Sequence, residues 1–298
     1  MNKEIVKSNS NPFMTKKRFN MWMKLRLSGL VYSFKICERI APLFAERMAL
    51  RLFLNPPRHT IPEWQKSYLK NAKKSNLHVG NNVIKMYQWG SGPAVLLVHG
   101  WGGRGSQLSA FISPLINAGY SVLTFDGPAH GDSSGKKCDM FDFASVINAI
   151  SNHFSIHSIV SHSFGSACTL LALSQSQINI SKLILIGCPY SAIWIAEAFG
   201  KALSISDKTI SAMRKKLENQ YENKWTWEDL SLTKLISQVD QPILLVHDLD
   251  DLEIPYQQVL ELQKSNPRCQ LFTSMGQGHR RILRSENAIN KIVSFINY

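Results

Sequence analysis

The chain has 298 residues, 44% of them apolar and 18% charged, a composition that folds and excludes an intrinsically disordered chain. Its net charge of +13 is uneven: residues 1–75 hold 16 Lys/Arg and 4 Asp/Glu, and the remainder holds 18 and 17. The basic character therefore belongs to the N-terminal segment, and no nucleic-acid-binding core is indicated. No apolar run approaches the ~20 residues that span a bilayer.

Cys37, Cys138, Cys168, Cys188 and Cys269 are odd in number and contain no Cys-x-x-Cys pair, which reads as free thiols in a reducing compartment. The first twelve residues are polar, and the apolar stretch after them is interrupted by Lys24, Arg26 and Lys35. No secretory signal is expected, so the expected location is cytoplasmic. Neither metal-ligand spacing nor a phosphate-binding glycine loop is present, and no cofactor or metal is expected.

In chain order, apolar residues between Thr15 and Phe34 recur at helical spacing, and a second helix over Pro42–Leu54 stops at Pro56-Pro57. This basic amphipathic pair makes residues 1–75 a helical extension. It is expected to pack on the main domain or a second subunit; the alternative is peripheral contact with the inner face of an anionic membrane. Residues 62–72 predict a short helix. Leu77–Val79 and Val83–Trp89 predict two strands about a Gly80-Asn81-Asn82 turn, and Ala94–Val98 a strand buried on both faces.

From there helices and strands alternate. A helix near Ser106–Asn117 precedes the strand Ser121–Phe125, and a helix near Met140–His153 precedes a strand ending at Val160. The helix after that one ends before Asn179, ahead of the strand Lys182–Ile186. Past an interruption at about 189–239 come the strand Ile243–His247, the helix Tyr256–Lys264, the strand Cys269–Thr273 and a helix over Arg281–Ile296. The alternation predicts an α/β protein with a mostly parallel, doubly wound sheet over residues 76–298; the interruption predicts a small helical cap. Tyr190, Trp194, Phe199, Trp225 and Trp227 either line a pocket there or hold the cap together.

Ser161-His162-Ser163-Phe164-Gly165 joins a β-branched strand to an apolar helix. Small residues two before and two after Ser163 permit a turn sharp enough to push its hydroxyl out of the sheet; a helix start capped by a serine is the competing reading. Ligands of open α/β sheets bind beyond the strands' carboxyl ends. Two more such ends carry Asp248, Asp250 and Asp251, and His279. A serine hydroxyl needs an imidazole to take its proton, and the imidazole needs a carboxylate to fix its tautomer. Ser163, one of the three aspartates, and His279 meet that requirement. His99-Gly100-Trp101-Gly102-Gly103 follows a fourth strand end, where the N–H groups of Trp101 and Phe164 are the natural donors to an oxyanion. His99 and His130 are expected to order loops, and the His162 side chain to point away from the reacting centre.

From about Val83 to Tyr298 the sequence resembles the α/β-hydrolase superfamily, near its serine esterase, lipase and monoacylglycerol-lipase-like branches. The 99–103 segment resembles the family's oxyanion loop. Asp126-Gly127-Pro128-Ala129-His130-Gly131-Asp132-Ser133 resembles its Asp-x-Pro-Gly-His-Gly-x-Ser loop with Ala129 in place of glycine. The elbow has Ser161 in place of glycine. His247–Pro255 resembles His-Gly-x-x-Asp-x-x-Val-Pro with Asp248 in place of glycine, a register that implies Asp251 as the acid. The resemblance implies hydrolysis of a small-molecule carboxylic ester. The alternative is a binding or membrane-associated protein that keeps the fold without turnover. The oligomeric state is open.

Overall fold

The computed structural model describes residues 28–222 and 224–298. The part of the first predicted helix from Thr15 to residue 27 lies outside the described residues. Residues 28–40 are helical (α1), so the helix continues past the expected end at Phe34. It is followed by α2 (Pro42–Leu54) and α3 (Glu63–Lys70). Pro42 at the start of α2 supplies a helical φ where no N–H is needed.

Eight strands form one sheet: β1 (Lys73–Val79), β2 (Asn82–Trp89), β3 (Ala94–Val98), β4 (Ser121–Phe125), β5 (Ile156–His162), β6 (Lys182–Ile186), β7 (Ile243–Asp248) and β8 (Cys269–Ser274). Their order is β1-β2-β4-β3-β5-β6-β7-β8, antiparallel at β1–β2 and β2–β4 and parallel elsewhere. β1 starts four residues before the expected Leu77, because its added residues are polar, exposed and on the sheet edge, where no apolar pattern marks them.

Alternation along the central strands divides the core into two layers. Leu96, Ile159, Leu183 and Leu245 face one side, with Phe143 and Ile147 of α5 (Met140–His153) and Leu170 of α6 (Phe164–Gln175). Val95, Val160, Ile184 and Val246 face the other, with Leu115 of α4 (Ile112–Asn117) and Ile292 of α12 (Glu286–Asn297). A 3-10 turn at Gly105–Phe111 leads into α4, so the helix expected at Ser106–Asn117 is kinked at Leu108. Between β6 and β7 lie α7 (Ala192–Ala202), α8 (Asp207–Gln220) and α9 (Leu232–Ser237); α10 (Gln257–Ser265) connects β7 to β8. After β8, the helix expected from Arg281 is split into α11 (Gly278–Arg281), a 3-10 turn and α12, with the Ser285 side chain capping α12.

The extension packs on this insertion. Phe34, Ala49, Leu50 and Leu54 are buried in the same core as α7 and α8, and Phe53 meets Phe199 edge-on at 5.3 Å. Because β3 to β8 are parallel, their carboxyl ends share one edge of the sheet. The candidate residues of four separate loops are gathered there.

Candidate active site

Ser163 has φ 55° and ψ −124°, and its side chain makes no cap bond to α6. The competing reading, a serine capping an ordinary helix, is therefore excluded. A non-glycine residue in such a conformation costs about 1–3 kcal/mol and persists only where its surroundings over-determine it. Here they do. The Ser163 N–H donates to the Ile186 carbonyl at 2.9 Å, extending the sheet by one rung. A Cβ on Gly165 would lie 2.3 Å from the His99 carbonyl oxygen, so α6 and the loop after β3 approach this closely only with glycine there. Ser161, where the family pattern has glycine, is fully buried and donates its hydroxyl to the Ile184 carbonyl at 3.1 Å.

The Ser163 hydroxyl meets His279 Nε2 at 2.9 Å, and His279 Nδ1–H donates to Asp251 Oδ2 at 2.7 Å. Three segments separated by 88 and 28 positions thus form one continuous hydrogen-bonded run. The other Asp251 oxygen accepts the N–H groups of Glu253 and Ile254, both at 2.8 Å. Burial pushes the Asp251 carboxyl up, but the hydrogen bond and charge of His279, the Ile254 N–H and His247 outweigh it, and the net shift is downward. Gly187 lies beside the His279 ring: a Cβ there would be 3.1 Å from Cε1, and its φ of 53° suits glycine.

Of the three competing aspartates, Asp251 alone holds the imidazole. Asp248 does something else. It accepts the Ser274 hydroxyl at 2.6 Å and the N–H groups of Gly278, Asp250 and Gln277 at 2.9, 3.0 and 3.1 Å. Asp250 accepts the Gly276 N–H at 2.8 Å. The two carboxylates fasten the loop that presents His279. Sequence reasoning saw Asp248 as a departure from glycine and as a rival for the acid, not as a fastener of this loop. Its signal was its place opposite Ser274 at the ends of β7 and β8, which requires the register.

His162 also differs from expectation. Its ring packs against that of His279, centroids 4.6 Å apart, and its Nε2–H donates to the His279 carbonyl at 2.9 Å. The reason is strand alternation: His162 shares a face with Val160, the layer where Ile282 and Leu283, just after His279, are packed. Burial and the neighbouring His279 charge hold it well below the usual imidazole range, so it supports the His279 segment as a neutral group.

His99 and His130 occupy the loop-ordering places expected of them. His99 Nδ1–H donates to the Gly100 carbonyl at 2.7 Å, and its Nε2 accepts the Gly127 N–H at 2.9 Å, joining the loops after β3 and β4. His130 stands edge-on to Trp101, and burial pushes its pKa down to about 4. Ala129 keeps the left-handed conformation that its position requires, at φ 61°. Trp101 packs edge-on against Phe164 with centroids 5.0 Å apart. Phe164 opens α6, so its N–H is one of the donors a helix start leaves unpaired. The Trp101 N–H also has no acceptor among the described residues.

Above Ser163 and His279 lies a cavity of about 530 Å³, within the range of small-molecule sites. Trp194 and Phe199 of α7 line it, together with Trp225, Trp227, Ile195 and Leu217. Tyr190 is not in the lining; its N–H is bound to Gln258 instead. Leu52 and Phe53 of α2 take part in the lining, a contribution from the N-terminal extension that sequence reasoning did not foresee. The acids at the rim are engaged: Asp139 caps α5 and accepts the Tyr221 hydroxyl, and Glu253 pairs with Arg280 at 2.9 Å.

Residues 93–202 match the family model of the alpha/beta hydrolase fold. Solved structures with the same architecture include an esterase from Exiguobacterium antarcticum, 18% identical, with a TM-score of 0.59 over 75% of this chain and 99% of the esterase. Another is Est1E from Butyrivibrio proteoclasticus with ferulic acid bound, 17% identical, TM-score 0.57, covering 75% and 96%. A third is the thioesterase domain of the curacin biosynthetic pathway, 18% identical, TM-score 0.57, covering 76% and 98%. No curated protein matches the sequence. The strand order, the family-model match over residues 93–202 and these likenesses together show that the chain has the α/β-hydrolase fold.

Proposed function

We propose that the protein is a serine hydrolase that cleaves a carboxylic ester with an apolar acyl group through an acyl-enzyme intermediate. The observation that carries this reading is the run from Ser163 through His279 to Asp251, opening onto an apolar cavity. Ser163 Oγ attacks the ester carbonyl while His279 Nε2 takes its proton, and Asp251 stabilises the imidazolium that forms. The N–H groups of Trp101 and Phe164 hold the oxyanion; one such donor is worth about 10²–10³ in rate. His279 returns the proton to the departing alcohol. Water, activated by the same imidazole, then releases the acid and restores Ser163.

Ester and thioester chemistry share this design, and the apolar lining bears on the acyl side rather than on the leaving group. The alternative, a binding or membrane-associated protein that keeps the fold without turnover, drew on the basic N-terminal segment and on three departures from the family pattern, at Ser161, Ala129 and Asp248. Each of these has a structural explanation that leaves the hydrogen-bonded run intact, which favours turnover.

The test is labelling with a fluorophosphonate probe, with hydrolysis measured across p-nitrophenyl esters of increasing acyl length. Labelling in the wild type and none in Ser163→Ala is the expected result. Equal labelling of the two would refute the assignment of Ser163. A folded wild type inert to the probe and to every ester would refute the enzyme reading.

A further inference from the structure

The two faces of α1 meet different surroundings. Phe34 is fully buried, and Glu38 Oε1 accepts both the N–H and the hydroxyl of Ser206, at 2.8 and 2.7 Å, where α8 begins. These contacts fix the rotation of the helix. At about 100° per residue the opposite side carries Tyr32, Ile36 and Ile40, with exposed Lys35 and Arg39 beside them. The first turn of α2 continues the apolar surface with Leu43 and Phe44. The exposures of Tyr32, Ile36, Ile40, Leu43 and Phe44 are 67, 45, 77, 66 and 56%. Arg47 and Arg51 of α2 are exposed as well, whereas Glu38 is committed to Ser206 and Glu46 is half-buried.

We propose that this face docks on an anionic lipid surface. Large apolar side chains grouped on successive turns are unusual on a protein's water-facing surface and mark a contact. Basic groups beside them fit a negatively charged interface, into which amphipathic helices of this kind lay their apolar side. Residues 1–27 add seven Lys/Arg and a single Glu in sequence, the same sign of charge. A second copy of the chain is a poorer fit, because an isologous contact would bring Lys35 and Arg39 against like charges. A nucleic acid would engage the charges but leave Ile36, Ile40 and Leu43 uncovered. Among the described residues no helix is long and apolar enough to cross a membrane; the proposed contact is peripheral, with the exposed face of α1 and α2 laid on the surface.

The face also lies near the cavity. Phe44, on the docking side, and Phe53, in the cavity wall, are nine residues apart on α2, about 14 Å along the helix. The docking surface does not depend on the ester reading, and its test does not measure activity.

The full chain is sedimented with vesicles of phosphatidylcholine alone and of phosphatidylcholine mixed with phosphatidylglycerol. Binding is expected to the anionic vesicles only and to weaken with added salt. Lys35→Ala with Arg39→Ala should weaken it roughly 25-fold, at about fivefold per charge. Ile36→Ser with Ile40→Ser should weaken it by about tenfold or more. Both pairs are exposed and should keep the wild-type thermal midpoint. No binding, equal binding to both kinds of vesicle, or insensitivity to the isoleucine pair overturns the proposal. A concentration-dependent dimer abolished by the isoleucine pair assigns the face to a second copy. Duplex DNA or RNA binding lost with the basic pair alone assigns it to nucleic acid; either result also overturns it.

Discussion

The two sides of the cavity are held by different forces. The sheet side, with Ser163, His279, Asp251 and Asp248, is tied by short hydrogen bonds, many of them from backbone N–H groups to carboxylates. The helical side, built from α2, α7 and the Trp225–Trp227 segment, is held by aromatic packing: Phe53 on Phe199 and Trp227, and Trp225 on Trp227. Directional bonds fix atoms to within tenths of an ångström, as a proton transfer requires. Packed apolar surfaces fix volume and tolerate exchange of similar shapes. Substitutions on the sheet side should therefore change how fast a substrate reacts, and those on the helical side which substrate fits.

The sharpest test of that division is Asp251→Asn, which keeps the shape but offers His279 the wrong hydrogen-bonding partner. A fall in kcat of about 10⁴ with little change in KM is expected; steady-state kinetics on one ester decide it. A loss divided equally between KM and kcat would break the contrast.

Acid should loosen the sheet side first. His99, His130, His162 and His247 are buried there, and desolvation lowers each of their pKa values, that of His130 to about 4. The unfolded chain titrates these groups near their usual value of 6.5, so between there and about pH 4 it binds more protons than the folded one. Stability is complete above about pH 6.5 and falls as the pH drops toward 4, by about 3 kcal/mol for His130 alone. Asp251 and Asp248, with lowered values, lose their contributions at still lower pH. Urea unfolding midpoints between pH 7 and 4 measure the decline, and a flat profile would mean that these histidines are not neutral and buried.

Asp248→Asn probes position without touching the reacting atoms. Replacing a carboxylate that gathers four donors loosens the His279 loop, and a loss of about 10- to 100-fold in kcat is expected. The pH–rate profile should keep its shape, whereas a group that moved protons would alter it.

The smallest effect tests the opposite wall. Phe53→Ala should leave hydrolysis of short acyl esters nearly unchanged and shift relative kcat/KM among longer ones by about tenfold. Uniform loss across all chain lengths would show that Phe53 supports the site rather than shaping its specificity.

The sequence alone determined the strand–helix alternation, the elbow and the motif order, because each is carried by neighbouring residues: β-branched runs buried on both faces, small residues flanking Ser163, glycines after β3. It also named Ser163, Asp251 and His279 as partners, through chain order and resemblance. Tertiary structure alone decided that Asp248 and His162 support the segment bearing the imidazole, and that α2 walls the cavity. Those outcomes depend on the register of β7 against β8 and on which layer each side chain enters. Such long-range pairings leave no local periodicity. A polar residue at a strand end looks the same in sequence whether it faces solvent, a loop or a histidine.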